Sequence, residues 1–159
     1  MNIIADPKFK ALFMDLTKEM FFKENTTTTV EEMKMLAIAL LDTEWTIDIY
    51  SFKPASVIKL TNHGWVFDFN TRKRAAGLCD YRTKTIYLSK WLLEQNLDKS
   101  LEFENTLRHE IAHALDRQMG GRNHHNRIWK AIARQVLCTA ERCYSVDVIQ
   151  TKVTTKYTL

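Results

Sequence analysis

The stretch Leu107-Arg108-His109-Glu110-Ile111-Ala112-His113-Ala114-Leu115 sets two histidines four residues apart, with a glutamate directly after the first. On an α-helix such residues lie about 40° apart around the axis, so His109 and His113 project from one face, one turn apart. Two imidazoles placed in this way can share a tetrahedral Zn²⁺ at about 2.0–2.1 Å each. Glu110 falls beside the first of them, where its carboxylate reaches a water on the metal instead of the metal itself. That is the general-base position of HExxH hydrolases. The plain alternative is an amphipathic helix with histidines on its wetter side. Leu107, Ile111, Leu115 and Met119 form an i, i+4 stripe on a different face. One side of the helix is then anchored in a core and the other lines a cleft, which favours the metal.

A catalytic zinc takes a third protein ligand and keeps one position open. A metzincin would place a histidine six residues after His113, but that position is Met119, and the class is excluded. A gluzincin would use a later glutamate, and Glu141, at the end of the last expected helix, is a weak candidate. His124 and His125 remain, just past the Gly120-Gly121 helix stop, in a loop that can fold back on the metal.

The elements that must position these groups form an α+β pattern. Asp6-Pro7 reads as an N-cap with proline at the first helical position, opening a helix that carries Phe9, Leu12, Phe13, Leu16 and Met20. Thr29 or a neighbour caps a second helix, VEEMKMLAIALLD, whose methionines suit an interface or core role. From Trp45 to Leu88 the period shifts toward two, giving short strands in WTIDIY, SVIKLTN, WVFDFN, RAAGLCDY and KTIYLS, with a turn at Asn62-His63-Gly64 and His63 on the surface. Ser89 caps a short helix, a long helix runs from about Ser100 to Met119, and RIWKAIARQVLC is helical again. The tail from Tyr144 alternates and reads as one or two strands.

Taken together, TLRHEIAHALD, a short glycine-containing loop and His125-Asn126-Arg127-Ile128-Trp129 resemble the SprT-like (Spartan-type) zinc metallopeptidases. That family carries HExxH on a helix and then a third histidine in an H-G-x-x-[FW] context, here with Asn in place of Gly. AAGLCDYRTKTIYLSKWLL resembles its upstream strands, and the similarity spans roughly residues 45 to 142. The resemblance implies a zincin-like single domain with N-terminal helices, a small mixed or antiparallel sheet, the HExxH helix, a C-terminal helix and terminal strands. It implies zinc ligands His109, His113 and His125, with Glu110 as base and acid, and Trp129 packed under the loop. Residues 1–44 would be an N-terminal helical segment of the same domain and 45–159 the metallopeptidase core. Many bacterial members end in a zinc ribbon of two cysteine pairs. This chain has only Cys79, Cys138 and Cys143, so it reads as a minimal protease domain.

Composition bounds the rest. A chain of 159 residues with 45% hydrophobic content fits one domain with a real core. Three cysteines without a CxxC pair fit free thiols in a reducing compartment better than a disulfide framework. The start carries no secretory signal and no apolar run can span a bilayer, so the expectation is a cytoplasmic protein without a membrane partner, in a host cytoplasm if phage-encoded. The net charge is +4, and six basic residues (Arg72, Lys73, Arg74, Arg82, Lys84 and Lys90) face one acid, Asp80, with Trp91 beside them. A second basic run, from Arg117 to Arg142, is opposed by Glu141 alone. With the resemblance, this points to single-stranded or damaged DNA as a partner beside a protein substrate. Tyr81, Tyr87, Tyr144 and Arg108 are candidate oxyanion donors, and none stands out. Three readings follow: an endopeptidase for DNA-bound or DNA-crosslinked proteins, a DNA-independent peptidase with a dedicated cytoplasmic substrate, and a non-enzymatic module stabilised by zinc. Glu110 counts against the third, since a structural site has no use for that carboxylate.

Overall fold

The structure is a computed structural model that describes residues 28–50, 53–122 and 125–138. The expected helix from Pro7, His124, Glu141, Cys143 and the terminal strands lie outside the described residues. Helix α1, Val30–Leu41, starts at Thr29, whose side chain accepts from the Glu32 amide at 3.0 Å. In return its hydroxyl donates to the Glu32 carboxylate at 3.2 Å. The cap satisfies an amide that the first turn leaves without an intrahelical partner.

Five short strands follow: β1 (Glu44–Ile47), β2 (Ser56–Lys59), β3 (Val66–Asn70), β4 (Gly77–Asp80) and β5 (Thr85–Ser89). β1 and β2 form an antiparallel pair, with Trp45 opposite Ile58. The other three make a mixed sheet in the order β3-β5-β4, β5 lying parallel to β3 and antiparallel to β4. The turn expected at Asn62–Gly64 is a 3-10 segment, Leu60–His63, closed by Gly64 in the left-handed region, and His63 is exposed there. Ser89 ends β5 and caps α2, Lys90–Gln95, accepting from the Leu92 amide at 3.1 Å. The same hydroxyl donates to the Arg72 carbonyl, which ties the loop before β4 to the start of α2.

Helix α3, Ser100–Gln118, is the centre of the molecule and packs against β4, β5 and α4 (Arg127–Gln135). Leu107, Ile111 and Leu115 are fully buried, as the apolar stripe requires, and Met119 is partly buried against the same core. The opposite face is not wet: Glu104, Arg108, His109, Glu110, His113 and Asp116 are all buried as well. Buried charge is costly unless paired, and Arg108 meets Glu104 at 2.9 Å and donates to the Val136 carbonyl at 2.9 Å. That binds α3 to the end of α4 and commits Arg108 to structure. Two tryptophans in the core keep their polar tips bonded, Trp45 Nε1 to the Leu40 carbonyl and Trp65 Nε1 to Gln118 Oε1. Met33 is fully buried but Met35 is exposed, so only one of these two α1 methionines serves the core.

Cys79 is a free thiol on β4, whereas Cys138 is disulfide-bonded to a partner outside the described residues. The expectation of free thiols throughout is corrected for Cys138. No helix among the described residues is long and apolar enough to cross a membrane.

Candidate metal centre

Two turns of α3 and one loop supply the site. His109 and His113 leave the same face of the helix. Gly120, with φ of 88°, ends it, and a side chain at Gly121 would overlap the Asp116 carboxylate, so the chain turns back tightly over the helix end. The returning loop delivers His125. Asn126 then caps α4 by accepting from the Trp129 amide at 2.9 Å, which fixes where the loop re-enters regular structure.

The three imidazoles converge through their Nε2 atoms, at 3.2 Å between His109 and His113, 3.0 Å between His113 and His125, and 3.2 Å between His125 and His109. A ring nitrogen offers either one hydrogen or one lone pair, so a closed triangle of such contacts cannot consist wholly of hydrogen bonds. A cation at the centre resolves the conflict. Nitrogen ligands at 2.0–2.1 Å around a tetrahedral zinc lie about 3.3–3.4 Å apart, close to what the triangle shows. The residues therefore fit a metal ion, and they are the one group of this kind among the described residues. Burial, then the His109 and His125 rings, pulls the His113 pKa down to about 3. His125 is lowered by burial and then by Lys130. Both shifts favour the neutral imidazole, the form that coordinates a metal.

Trp129 forms the floor of the cluster. Its ring stacks on His113 at 4.9 Å and meets His109 and His125 edge-on at 4.8 Å and 4.5 Å between centroids. It is fully buried in α4, so one rigid aromatic plane sets the tilt of all three rings.

Glu110 does not join the nitrogen triangle. It is buried, 6% exposed, and burial raises its pKa to about 8. Its carboxylate lies against the backbone of β4 at Gly77. A methyl group placed there would come within 2.9 Å of Glu110 Oε1, 3.0 Å of its Cγ and 2.7 Å of the Thr106 methyl. Gly77 thus lets an edge strand of the sheet approach the glutamate, a role the strand pattern alone hinted at only through an isolated glycine. Cys79 and Tyr81 follow on the same side of the chain by strand alternation. Their pKa values are raised by burial, with a further upward push from Glu110 in each case. Tyr81 also packs edge-on to Trp65 and lies under the Arg117 guanidinium at 5.3 Å.

The residues singled out for nucleic acid divide into two groups. Arg72, Lys73 and Arg74 sit in the loop before β4, near Lys90 and Trp91 at the start of α2, and the Lys73 ammonium lies 5.5 Å from the Trp91 ring centroid. Arg82 and Lys84 occupy the β4–β5 turn at the opposite end of β5. Lys84 is engaged with the His63 carbonyl at 2.8 Å, and Lys90 pairs with Glu94 at 3.8 Å. The charges are exposed as expected but do not form one continuous patch.

Neither curated proteins nor solved structures gave a match to this chain. The model of the SprT-like family matches residues 51–154, a span that contains β2 to β5, the histidine cluster and Trp129. That covers most of the chain, and the chain belongs to the SprT-like family.

Proposed function

We propose that the protein is a zinc-dependent endopeptidase with a zincin-like catalytic domain, acting on proteins bound or crosslinked to DNA. One observation carries the reading: three Nε2 atoms within 3.0–3.2 Å of one another, with a buried carboxylate one residue after the first ligand. In this reading His109, His113 and His125 hold the ion and Glu110 handles the proton. A bound zinc supplies Lewis acidity toward a peptide carbonyl and toward water.

The chain's own residues supply the rest. Glu110 takes a proton from the attacking water and returns it to the departing amine. β4 is an edge strand of its sheet, and Gly77 brings it against the Glu110 carboxylate, so an extended substrate added along it would run past that group. Trp129 keeps the three imidazoles from tilting, and the Arg108–Glu104 pair holds α3 against α4.

DNA association draws support from the exposed Arg72, Lys73 and Arg74 beside Trp91, a basic loop next to a stacking surface. The position of Arg82 and Lys84 at the other end of β5 favours a second reading, a peptidase that needs no DNA. The two separate in one assay: digestion of a DNA-binding protein and of casein, each with and without single-stranded DNA, and with a chelator as control. Cleavage abolished by the chelator and stimulated by DNA supports the first reading. Equal cleavage without DNA supports the second, and no chelator-sensitive cleavage under any condition overturns both.

A further inference from the structure

A cavity of about 670 Å³ lies between Ile49–Tyr50 and the outer face of α4, and none of the described residues that line it is acidic. It is a built feature. The Gln135 side-chain amide clasps the Asp48 backbone, donating to its carbonyl at 2.9 Å and accepting from its amide at 2.8 Å. That pair of bonds imitates strand pairing and holds residues 48–50 alongside α4. Asn126, the residue after His125, is among its lining residues, so the cavity lies one residue along the chain from the third imidazole.

The lining combines an aliphatic floor of Ile49, Ile128 and Ala131 with two arginines, Arg127 and Arg134. Neither arginine makes an ion pair or side-chain hydrogen bond among the described residues. They stand seven residues apart on α4, about 10.5 Å along the axis. An extended peptide covers that distance in about three residues. Among the described residues of the lining Tyr50 is the one aromatic ring. The groove therefore offers aliphatic contact to a side chain better than stacking to a nucleobase.

We propose that this groove binds an acidic, extended peptide segment of the substrate, an apolar side chain resting on Ile49 and Ala131 and flanking carboxylates meeting Arg127 and Arg134. It would make the enzyme prefer acidic sequence on one side of the cut bond. The proposal rests on the endopeptidase reading for its purpose, but binding to the groove can be measured without cleavage.

The test uses the full zinc-loaded chain carrying Glu110→Gln, so that probes stay intact, and fluorescence anisotropy of a labelled extended peptide with two aspartates three positions apart and a leucine between them. Two exposed charge pairs are expected to give roughly tenfold tighter binding than the same peptide with lysines in place of the aspartates. The preference should shrink in high salt. Adding Arg127→Glu and Arg134→Glu should reverse it toward the lysine peptide, a reversal that unfolding cannot produce. Equal affinity for both peptides, or a preference unmoved by the two reversals, overturns the proposal. So does single-stranded DNA that binds more tightly than the acidic peptide and loses its affinity in the reversed variant, because the groove is then a nucleic-acid site. A parallel casein digestion with Glu110 intact separates the readings. Acidic-peptide binding without casein cleavage sinks the endopeptidase and leaves the groove, whereas cleavage without charge preference does the opposite.

Discussion

Replacing Gly77 by alanine perturbs the proposed base without touching a metal ligand. The new methyl would sit 2.7 Å from Thr106 Cγ2 and 2.9 Å from Glu110 Oε1, against an ordinary contact limit of about 3.4 Å. Relief thus requires shifts of roughly 0.7 Å at Thr106 and roughly 0.5 Å at the carboxylate, the scale of overpacking that costs about 1–3 kcal/mol. Thr106 cannot yield easily, because its hydroxyl donates to the Glu102 carbonyl at 2.9 Å. Misplacing a catalytic group by about 1 Å costs roughly a hundredfold in rate, so a loss of kcat between about tenfold and a hundredfold is expected. Zinc content should stay at the parent level, since none of the three histidines is among the atoms nearest Gly77. The assay is casein hydrolysis with metal analysis and thermal melting on the same samples. Adding Thr106→Ser removes the closest clash and should recover Tm while leaving kcat low, because the contact with Oε1 remains. Parent-like kcat in Gly77→Ala would refute the argument that β4 sets the position of Glu110.

Three other outcomes follow from the same geometry. Trp129→Ala removes the plane behind all three imidazoles and is expected to cost about 3–5 kcal/mol of stability. Loosened ligands should also lower zinc affinity about 10- to 100-fold, read by competition with a chromogenic chelator. Glu104→Ala removes the carboxylate that Arg108 meets at 2.9 Å in the buried interface and should destabilise by about 3–5 kcal/mol, while Glu104→Leu with Arg108→Met should recover much of that in denaturant titrations. In metal-free protein the buried Glu110 binds its proton more tightly folded than unfolded, so its burial costs nothing below the ordinary carboxyl pKa of 4.5 and progressively more as pH rises toward about 8. Glu110→Gln should therefore stabilise the metal-free chain at pH 7 by up to about 3 kcal/mol and not at all near pH 4. A gain independent of pH would contradict that assignment.

Much of the frame was readable from residue types. The caps at Thr29 and Ser89, the glycine stop at Gly120 and the period-two runs mark local events, set by side chains a few residues away. His109 and His113 were legible for the same reason, since helical pitch alone brings them together. His125 needed the family's loop motif, because nothing local says where a loop folds back. Tertiary placement was what spacing could not convey. Alternation located the strands but not that β5 lies between β3 and β4, which puts Arg82 and Lys84 at one end of the sheet and Arg72–Arg74 at the other. Helix α3 looked amphipathic, yet its polar face is buried because Glu104 pairs with Arg108 and the histidines face one another. An arginine within such a helix reads equally as solvent-facing or as an oxyanion donor until its partners are seen. Gly77 was visible as a glycine in a strand, but the reason for it, the Glu110 carboxylate across the interface, exists only once α3 packs on β4.

The central claim is that one α3 face supplies both metal ligands and a separate proton-transfer group. Zinc content and protein hydrolysis measured together on the parent and on Glu110→Gln test it most directly. The account expects one zinc per chain in both proteins and, in the variant, hydrolysis reduced at least about a hundredfold, as loss of a general base implies. A variant that holds its zinc and still cleaves at the parent rate would contradict it.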